Sequence, residues 1–184
     1  AALYRFLSLY LSKPPDAEAI DSVAALKGDT SSSLGRALTA LAVAAQSSAA
    51  LAVDRAYHDL FIGLGRGELV PYGSYYLTGF LQEKPLAKLR QDMSRLGIAR
   101  NLAVSEPEDH VASELEIMAG LIDGAFGAPL SLHRQQAFFD THLSSWLPVF
   151  FRDLEQVRTS AFYAALGRVG REFIAVETDA FAMV

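Results

Sequence analysis

Apolar residues recur along this chain with the period of an α-helix. The clearest stripe comprises Phe162, Leu166, Val169, Phe173, Val176 and Ala180. Three shorter stripes repeat the spacing: Val53, Tyr57, Leu60, Phe61 and Leu64; then Leu86, Leu89, Met93 and Leu96; then Val111, Leu115, Met118 and Ile122. Such spacing places apolar side chains on one face of a helix. Because strict apolar–polar alternation is nowhere sustained, we predict an all-α fold of about eight to ten helices.

Proline, glycine and capping residues mark where these helices begin and end. The Pro-Pro pair at 14–15 is expected to end the first helix. Pro85 fits the first turn of a helix that Gly97 then stops. Ser105, followed three residues later by Glu108, has the form of a capping box, which predicts a helix with Ser105 as its N-cap.

Two glycines interrupt the last stripe. Gly167 and Gly170 each weaken a helix by about 1 kcal/mol relative to alanine, so we expect another helix to cross closely there. The aromatic-rich segment Trp146–Phe151 is predicted to lie in the core rather than in a binding site.

Two connections are predicted to be non-helical, residues 63–74 and residues 98–108. The first is rich in glycine, and the second lies near the middle of the chain. We interpret the second as a candidate hinge between two helical lobes. The length of 184 residues fits a single domain that covers residues 1–184.

Composition excludes several classes of function. The net charge is −5, which argues against binding to nucleic acid or to an anionic membrane surface. There is no cysteine, hence no disulfide, cysteine nucleophile or cysteine-ligated metal. Phosphate-loop, nucleophile-elbow and histidine metal motifs are also missing, so we expect no catalytic residue, cofactor or metal. No stretch is long and apolar enough to span a membrane, and we expect a soluble protein.

A tyrosine-rich loop is the first candidate for partner recognition. Tyr72, Tyr75 and Tyr76 follow a glycine-rich stretch and could form a wall for an apolar peptide, because aromatic side chains combine a large contact area with a polar tip. The alternative is that these rings belong to the core, with their hydroxyl groups satisfied at its edge.

An acidic segment, residues 106–114, is the second candidate. Asp109 and His110 could form a polar recognition site at a helix start, where carboxylates receive arginine side chains. The structural alternative is an acidic first turn that complements the helix dipole, with His110 and Glu114 as a surface pair. Both interpretations remain open from the residues alone.

Three blocks of residues within residues 57–177 contain distinctive motifs. Tyr57-x-x-Leu60-Phe61-x-Gly63 runs into Val70-Pro71-Tyr72-Gly73-Ser74-x-Tyr76-Leu77. Glu106-Pro107-Glu108-Asp109-His110 is followed by Glu114-Leu115-x-x-Met118. The third block is His142-Leu143-x-x-Trp146-x-Pro148-x-Phe150, with Phe162-Tyr163 at the start of the last helix. Together they resemble the TorD/DmsD/NarJ family of redox-enzyme maturation proteins, and the middle block resembles the family's E-P-x-D-H signature.

The resemblance implies an all-helical chaperone that is not an enzyme. Family members bind the N-terminal signal peptide of a molybdoenzyme, often a twin-arginine one, and sometimes the apo-enzyme itself. They hold it in the cytoplasm until its cofactor is inserted. The implied partners are a molybdoenzyme catalytic-subunit precursor and its signal peptide, with no nucleic acid and no membrane insertion. Some relatives exchange helical lobes, so we expect a monomer or a homodimer swapped at residues 98–108.

The resemblance also implies a signal-peptide surface around Tyr72, Asp109 and His110. Several relatives carry tryptophan at the position of Tyr72, and the smaller ring allows a different peptide register. The predicted peptide-binding residues are Tyr72, Ser74, Tyr76, Leu77, Glu106, Pro107, Asp109, His110 and Glu114. We expect the arginines near Asp109 and the apolar segment along residues 72–77. On this hypothesis, Asp109→Ala weakens peptide binding without unfolding the protein.

Two further hypotheses remain. One is a helical scaffold that binds a folded protein through its apolar excess and is indifferent to paired arginines. The other is an all-α enzyme with Asp109 and His110 as an acid–base pair, although no nucleophile or metal motif accompanies them.

Overall fold

Helices account for the regular structure in a computed structural model that describes residues 1–63, 67–100 and 105–184. These residues form ten α-helices: α1 (Ala2–Ser12), α2 (Ala17–Ala24), α3 (Ser33–Gln46), α4 (Ala50–Tyr57), α5 (Gly73–Thr78), α6 (Lys84–Arg95), α7 (Val111–Asp123), α8 (Leu132–Phe138), α9 (Leu147–Glu155) and α10 (Ala161–Phe181). Short π-helical segments, His58–Ile62 and Phe139–Leu143, follow α4 and α8. The all-α prediction is confirmed.

Most helix ends lie where the local sequence places them. α1 ends at Ser12, before the Pro-Pro pair. Pro85 lies in the first turn of α6, and Gly97 follows that helix with a φ of 72°, a conformation that glycine adopts without strain. At the start of α10, the Ser160 hydroxyl accepts a hydrogen bond from the backbone N–H of Tyr163 at 3.3 Å.

The capping box predicted at Ser105 is wrong. α7 begins at Val111, and its N-cap is His110. Glu108 does not cap a helix, because its carboxylate is 2.8 Å from the Arg90 guanidinium and 3.4 Å from that of Arg100. Long-range ion pairing therefore replaces the local hydrogen bond that the motif suggested.

The described residues group into two compact units, each built from separate stretches of the chain. The first comprises residues 1–12, 71–147 and 180–184, and the second comprises residues 13–70 and 148–179. The hinge predicted at 98–108 falls partly on residues 101–104, which lie outside the described residues. Both of its described flanks belong to the first unit, so no unit boundary lies there. The single-domain and lobe-exchange expectations stay predictions.

The core of the first unit forms where α1 packs on α7. Tyr4, Leu7 and Leu11 of α1 are buried, as are Leu115 and Met118 of α7. Burying a leucine-sized side chain contributes about 1.5–3 kcal/mol, so this contact fixes α7 firmly. α7 in turn carries Glu114, at the end of the acidic segment.

The second unit contains the close helix crossing that the glycines predict. A Cβ at Gly167 would lie 2.4 Å from the backbone nitrogen of Glu155, and one at Gly170 would lie 2.2 Å from the Phe151 ring. α9 therefore approaches α10 too closely for a side chain at either glycine. The α10 stripe is buried as far as Phe173, but Val176 is half exposed.

None of the described helices is by itself long and apolar enough to cross a membrane. Ser33–Gln46 and Ala50–Ile62 reach the threshold only as a pair, and that pair is bent by 112°.

Candidate functional site

The tyrosine-rich loop and the acidic segment are joined by backbone hydrogen bonds within the first unit. Tyr72 and His110 form an isolated antiparallel bridge. The N–H of Gly73 donates to the carbonyl of Asp109 at 2.8 Å, and the N–H of Val111 donates to the carbonyl of Pro71 at 2.9 Å. The starts of α5 and α7 are thus fixed to one another, and both candidate segments belong to one site.

Asp109 is buried at this junction. Its residue is only 1% exposed, and its Oδ2 accepts hydrogen bonds from the Ser74 N–H, at 2.9 Å, and from the Ser74 hydroxyl. This carboxylate satisfies an N–H that the first turn of α5 leaves free. Its other oxygen, Oδ1, is buried and has no hydrogen-bond partner among the described residues. Asp109 therefore holds α5 in place from inside the protein.

His110 caps α7 through its imidazole. Its Nδ1 accepts a hydrogen bond from the Ala112 N–H at 3.2 Å, which requires an unprotonated Nδ1. Burial lowers the pKa of His110 to about 4, against the opposing effect of the negative charges of Glu106 and Asp109. The ring is therefore neutral at pH 7, with its proton on Nε2. It also meets the Tyr72 ring edge-on, with centroids 5.1 Å apart.

Glu114 lies one turn further along α7 and is also buried, at 3% exposed. The indole Nε1 of Trp146 donates a hydrogen bond to its Oε2 at 2.9 Å, and another to the His142 carbonyl at 2.8 Å. Burial raises the pKa of the Glu114 carboxyl well above its ordinary value, and the charge of Asp109 adds to that effect. The alternative that His110 and Glu114 form a surface pair is therefore wrong.

A cavity of about 170 Å³ lies against the Glu114 carboxyl. Its apolar lining is Leu77, Pro85 and Trp146, and its polar lining is Lys88, Glu114, Thr141 and His142, with Gly73 completing it. Leu77, Lys88 and Thr141 are solvent-exposed, so the cavity opens to the surface. It is several times larger than the roughly 30 Å³ that one water molecule occupies in the liquid.

The basic residues that surround this cavity form ion pairs or hydrogen bonds with other side chains. Lys88 forms an ion pair with Asp92, and the Nε2 of His142 lies 3.1 Å from the Oδ2 of Asp92. Arg95 also pairs with Asp92, at 3.1 Å. Burial lowers the pKa of His142, although Asp92 opposes that shift, so its ring does not add a positive charge at pH 7. Among the described residues, no cation pairs with Glu114.

The remaining predicted residues lie around the same junction. The Tyr72 hydroxyl donates to the exposed carboxylate of Glu106. The carbonyl of Pro107 accepts the His110 N–H at 3.1 Å and so shapes the turn into α7. The Tyr76 ring packs against Trp146, with centroids 5.6 Å apart. Tyr72 and Tyr76 are both half-buried, so these rings are neither a fully exposed peptide-binding wall nor a fully enclosed part of the core.

A row of exposed apolar side chains follows α5. Leu77 is 45% exposed, Phe80 is 70% exposed and Leu81 is 51% exposed. We call these three residues the apolar row. Because Leu77 also lines the cavity, the row begins at the cavity's edge.

A second cavity of about 370 Å³ lies on another side of the acidic segment. Its lining is mainly apolar, including Met93, Ile98, Ile117 and Phe126, and Glu106 and Glu108 also contribute to it. The charge of Glu108 is matched there by Arg90 and Arg100.

The acid–base hypothesis requires Asp109 and His110 to act as a pair. Asp109 and His110 share no hydrogen bond, since Asp109 holds Ser74 and His110 caps α7. Within the described ranges, no cluster of three or more histidine, aspartate or glutamate side chains could hold a metal ion.

Trp146 is the main site residue that sequence reasoning placed only in the core. It is indeed 1% exposed, but its indole N–H reaches Glu114 across 32 positions of the chain. Two signals indicated that each of these residues needs a polar partner, although neither signal identified the partner. Glu114 interrupts the apolar face that Val111, Leu115 and Met118 form on α7, and a buried indole N–H needs an acceptor. The described residues thus form an all-helical fold with a buried polar junction where α5 and α7 begin.

Comparison with known proteins identifies the family. A family model described as nitrate reductase delta subunit matches residues 27–152. This chain belongs to that family, the TorD/DmsD/NarJ family of redox-enzyme maturation proteins, as the three residue blocks predict. It is similar to a chaperone protein TorD of Vibrio cholerae serotype O1, with 34% identity over 131 residues that cover 67% of this chain and 59% of the relative. A TorD chaperone of Vibrio atlanticus is 29% identical over 145 residues, which cover 74% of this chain and 67% of the relative.

The fold is also found in a solved structure. A crystal structure of a candidate redox enzyme maturation protein from Archaeoglobus fulgidus superposes with a TM-score of 0.60 and 23% identity. The superposition covers 94% of this chain and 93% of that protein, and it supports the fold alone. The chain spans 59% of the length of the Vibrio cholerae relative that it matches.

Proposed function

We propose that this protein is a chaperone for the precursor of a molybdoenzyme catalytic subunit. It binds the twin-arginine signal peptide, the apo form of the subunit, or both, and holds the precursor for cofactor insertion before export or assembly. It acts in the cytoplasm by binding and not by catalysis. Support comes from family membership and from relatives that are named TorD chaperones.

The pairing of buried acid with an exposed apolar row carries the proposal. Asp109 and Glu114 are two buried carboxyl groups for which the described residues supply no cation. The apolar row of Leu77, Phe80 and Leu81 begins at the edge of the cavity beside Glu114. A signal peptide with two arginines followed by an apolar segment complements both features.

Affinity purification from the host cytoplasm tests this function. Tagged wild-type protein should retain one molybdoenzyme precursor with its signal peptide uncleaved, identified by mass spectrometry. A variant with serine at all three positions of the apolar row should lose most of that precursor. Leu132→Ser is the matched control, because Leu132 is 61% exposed on α8 but lies outside the row.

The result that contradicts the function is equally clear. If the wild-type protein retains no molybdoenzyme precursor in cells that express one, the proposed function is wrong. Retention of a folded protein that carries no signal peptide and no molybdenum cofactor site would instead favour the scaffold hypothesis.

A further inference from the structure

Glu114 is placed at a high energetic cost that its visible contacts do not explain. It lies on the apolar face of α7, where burying a carboxylate without a counter-charge costs several kcal/mol by general estimates. Its Oε2 accepts the Trp146 N–H at 2.9 Å. A glutamine amide could accept the same indole hydrogen bond without the charge. The acid therefore has a use beyond packing.

The cations near the site already have other partners. Lys88 and Arg95 pair with Asp92, while Arg90 and Arg100 pair with Glu108. These ion pairs leave the carboxyl groups of Asp109 and Glu114 without a counter-ion from the described part of the chain. Any cation that pairs with an ionised Glu114 would therefore come from a bound partner.

The geometry of the cavity selects the shape of that cation. Gly73 lines the cavity, and a Cβ there would lie 3.1 Å from the Glu114 Oε1 and 3.2 Å from the Trp146 Nε1. Gly73 therefore packs directly against the carboxyl and the indole, and a larger residue there would crowd this wall of the cavity. A planar guanidinium can donate two parallel N–H groups to a carboxylate, whereas an ammonium group lacks the planar fork.

We infer that the 170 Å³ cavity is a seat for one arginine guanidinium of the client peptide, with the Glu114 carboxyl as its acceptor. This inference rests on the proposed function and names where one of the two arginines binds. It moves the expected arginine contact from Asp109, which is engaged with Ser74, to Glu114. The apolar residues that follow the arginine then lie on the apolar row.

Binding of a guanidinium at this seat is coupled to the release of a proton from Glu114. With the seat empty, burial keeps the pKa of Glu114 raised, and the nearby charge of Asp109 reinforces this, which favours the protonated carboxyl. Lys88 and His142 also line the cavity, but Asp92 engages both. An arriving guanidinium favours the ionised carboxylate. The proton leaves Glu114 for the buffer, and a charge-assisted hydrogen bond forms in its place.

Calorimetric titration of the full chain tests the seat. The probe is a synthetic peptide with two adjacent arginines followed by an apolar stretch, and its partner peptide carries two lysines instead. Measurements at pH 7 in two buffers with different ionisation enthalpies give the number of protons released. We expect the arginine peptide to bind more tightly than the lysine peptide and to release about one proton as it binds.

Three variants separate the seat from general effects. Glu114→Gln should weaken the arginine peptide by about tenfold or more and abolish proton release. Thr141→Phe should weaken binding by narrowing the cavity, and it tests the seat even if Glu114→Gln fails to fold. Glu116→Gln is the control, because Glu116 is an exposed carboxylate on the same helix that pairs with Arg5. Its affinity should match that of the wild type.

The outcomes distinguish the seat from the function. If the wild type binds the arginine peptide but Glu114→Gln or Thr141→Phe binds it equally well, the seat is wrong and the chaperone function stands. Binding without proton release also overturns the assignment. If no peptide binds the wild type, signal-peptide recognition fails and the seat fails with it.

Discussion

Two buried glutamates near the start of α7 have opposite surroundings. Glu108 faces α6 and is held by Arg90 and Arg100, whereas Glu114 faces the cavity and accepts the indole N–H of Trp146. Burial by itself would raise the pKa of Glu108, but the Arg90 hydrogen bond and the two positive charges bring it below its ordinary value. For Glu114, burial dominates and raises the pKa.

This difference separates a carboxyl group that stabilises the fold from one that can bind a ligand. A glutamate whose charge is matched within the chain stabilises the fold and has no need of a partner. A glutamate that is buried without a cation costs stability at neutral pH and offers an unfilled site to a positively charged ligand. We therefore expect the free energy of unfolding to depend on pH in opposite directions through Glu108 and through Glu114.

Removing the indole should have the largest effect. Trp146→Ala deletes a fully buried ring and takes away the hydrogen-bond donor of Glu114, so we expect a loss of about 3–5 kcal/mol in the free energy of unfolding. Trp146→Phe keeps most of the ring volume but not the N–H, and its loss should be clearly smaller. Urea denaturation at pH 7 measures both. A Trp146→Phe variant as stable as the wild type would mean that the hydrogen bond to Glu114 contributes nothing, and equal losses for the two variants would mean that the ring volume contributes nothing.

Breaking the junction between the two segments should come next. Asp109→Ala removes the acceptor for the Ser74 N–H and hydroxyl, and we expect a loss of about 1–3 kcal/mol. The sequence alone suggested that this variant would keep its stability, so its urea midpoint compares the two interpretations directly. Asp140→Ala, at an exposed position, serves as the control. An unchanged midpoint for Asp109→Ala would contradict the buried role of Asp109.

The two glutamates should then differ in how stability depends on pH. A raised pKa in the folded state means that folded Glu114 binds more protons than unfolded Glu114 above the ordinary value of 4.5. Glu114 therefore makes the wild type lose stability as pH rises above 4.5. Glu114→Gln removes that loss, so its stability relative to the wild type should increase from pH 4 to pH 8. A pH-independent difference in urea denaturation would show that Glu114 ionises normally.

Removing Arg90, which pairs with Glu108, should have the smallest effect on the free energy of unfolding. This effect should depend on pH in the opposite direction to that of Glu114→Gln. Arg90 is about half exposed, so Arg90→Ala should cost about 0.5–1 kcal/mol at pH 7. Because the pKa of Glu108 is lowered, its stabilising effect is present above 4.5 and disappears as pH falls through the lowered value. The cost of Arg90→Ala should therefore vanish in acid. A cost that persists at pH 2 would have to come from packing of the arginine stem.

The helical class and much of the core could be predicted, because they depend on periodicity alone. The stripe from Phe162 to Phe173 is buried, and Gly167 and Gly170 lie where α9 approaches. Both features follow from residues three or four positions apart on one helix. Pro85 and Gly97, which mark the two ends of α6, were equally predictable from the sequence.

The polar contacts of the site could not be predicted, because distant residues make them. Glu108 has the spacing of a capping residue, yet its carboxylate forms ion pairs with Arg90 and Arg100 instead. The Glu114–Trp146 hydrogen bond joins residues 32 positions apart, and helical periodicity carries no information about such a pair. The segments of the site were therefore predictable, but the role of each carboxyl within them was not.

The most direct measurement follows the ionisation of Glu114 itself. Carbon-detected NMR of the chain, with its glutamate side chains labelled at Cδ, reports whether each carboxyl is protonated, and Glu114→Gln assigns the signal. We predict that the Glu114 signal is that of a protonated carboxyl at pH 7 in the free chain and that of a carboxylate once the twin-arginine peptide is bound. A Glu114 that is already ionised in the free chain at pH 7, or one that peptide binding leaves protonated, would contradict the arginine seat.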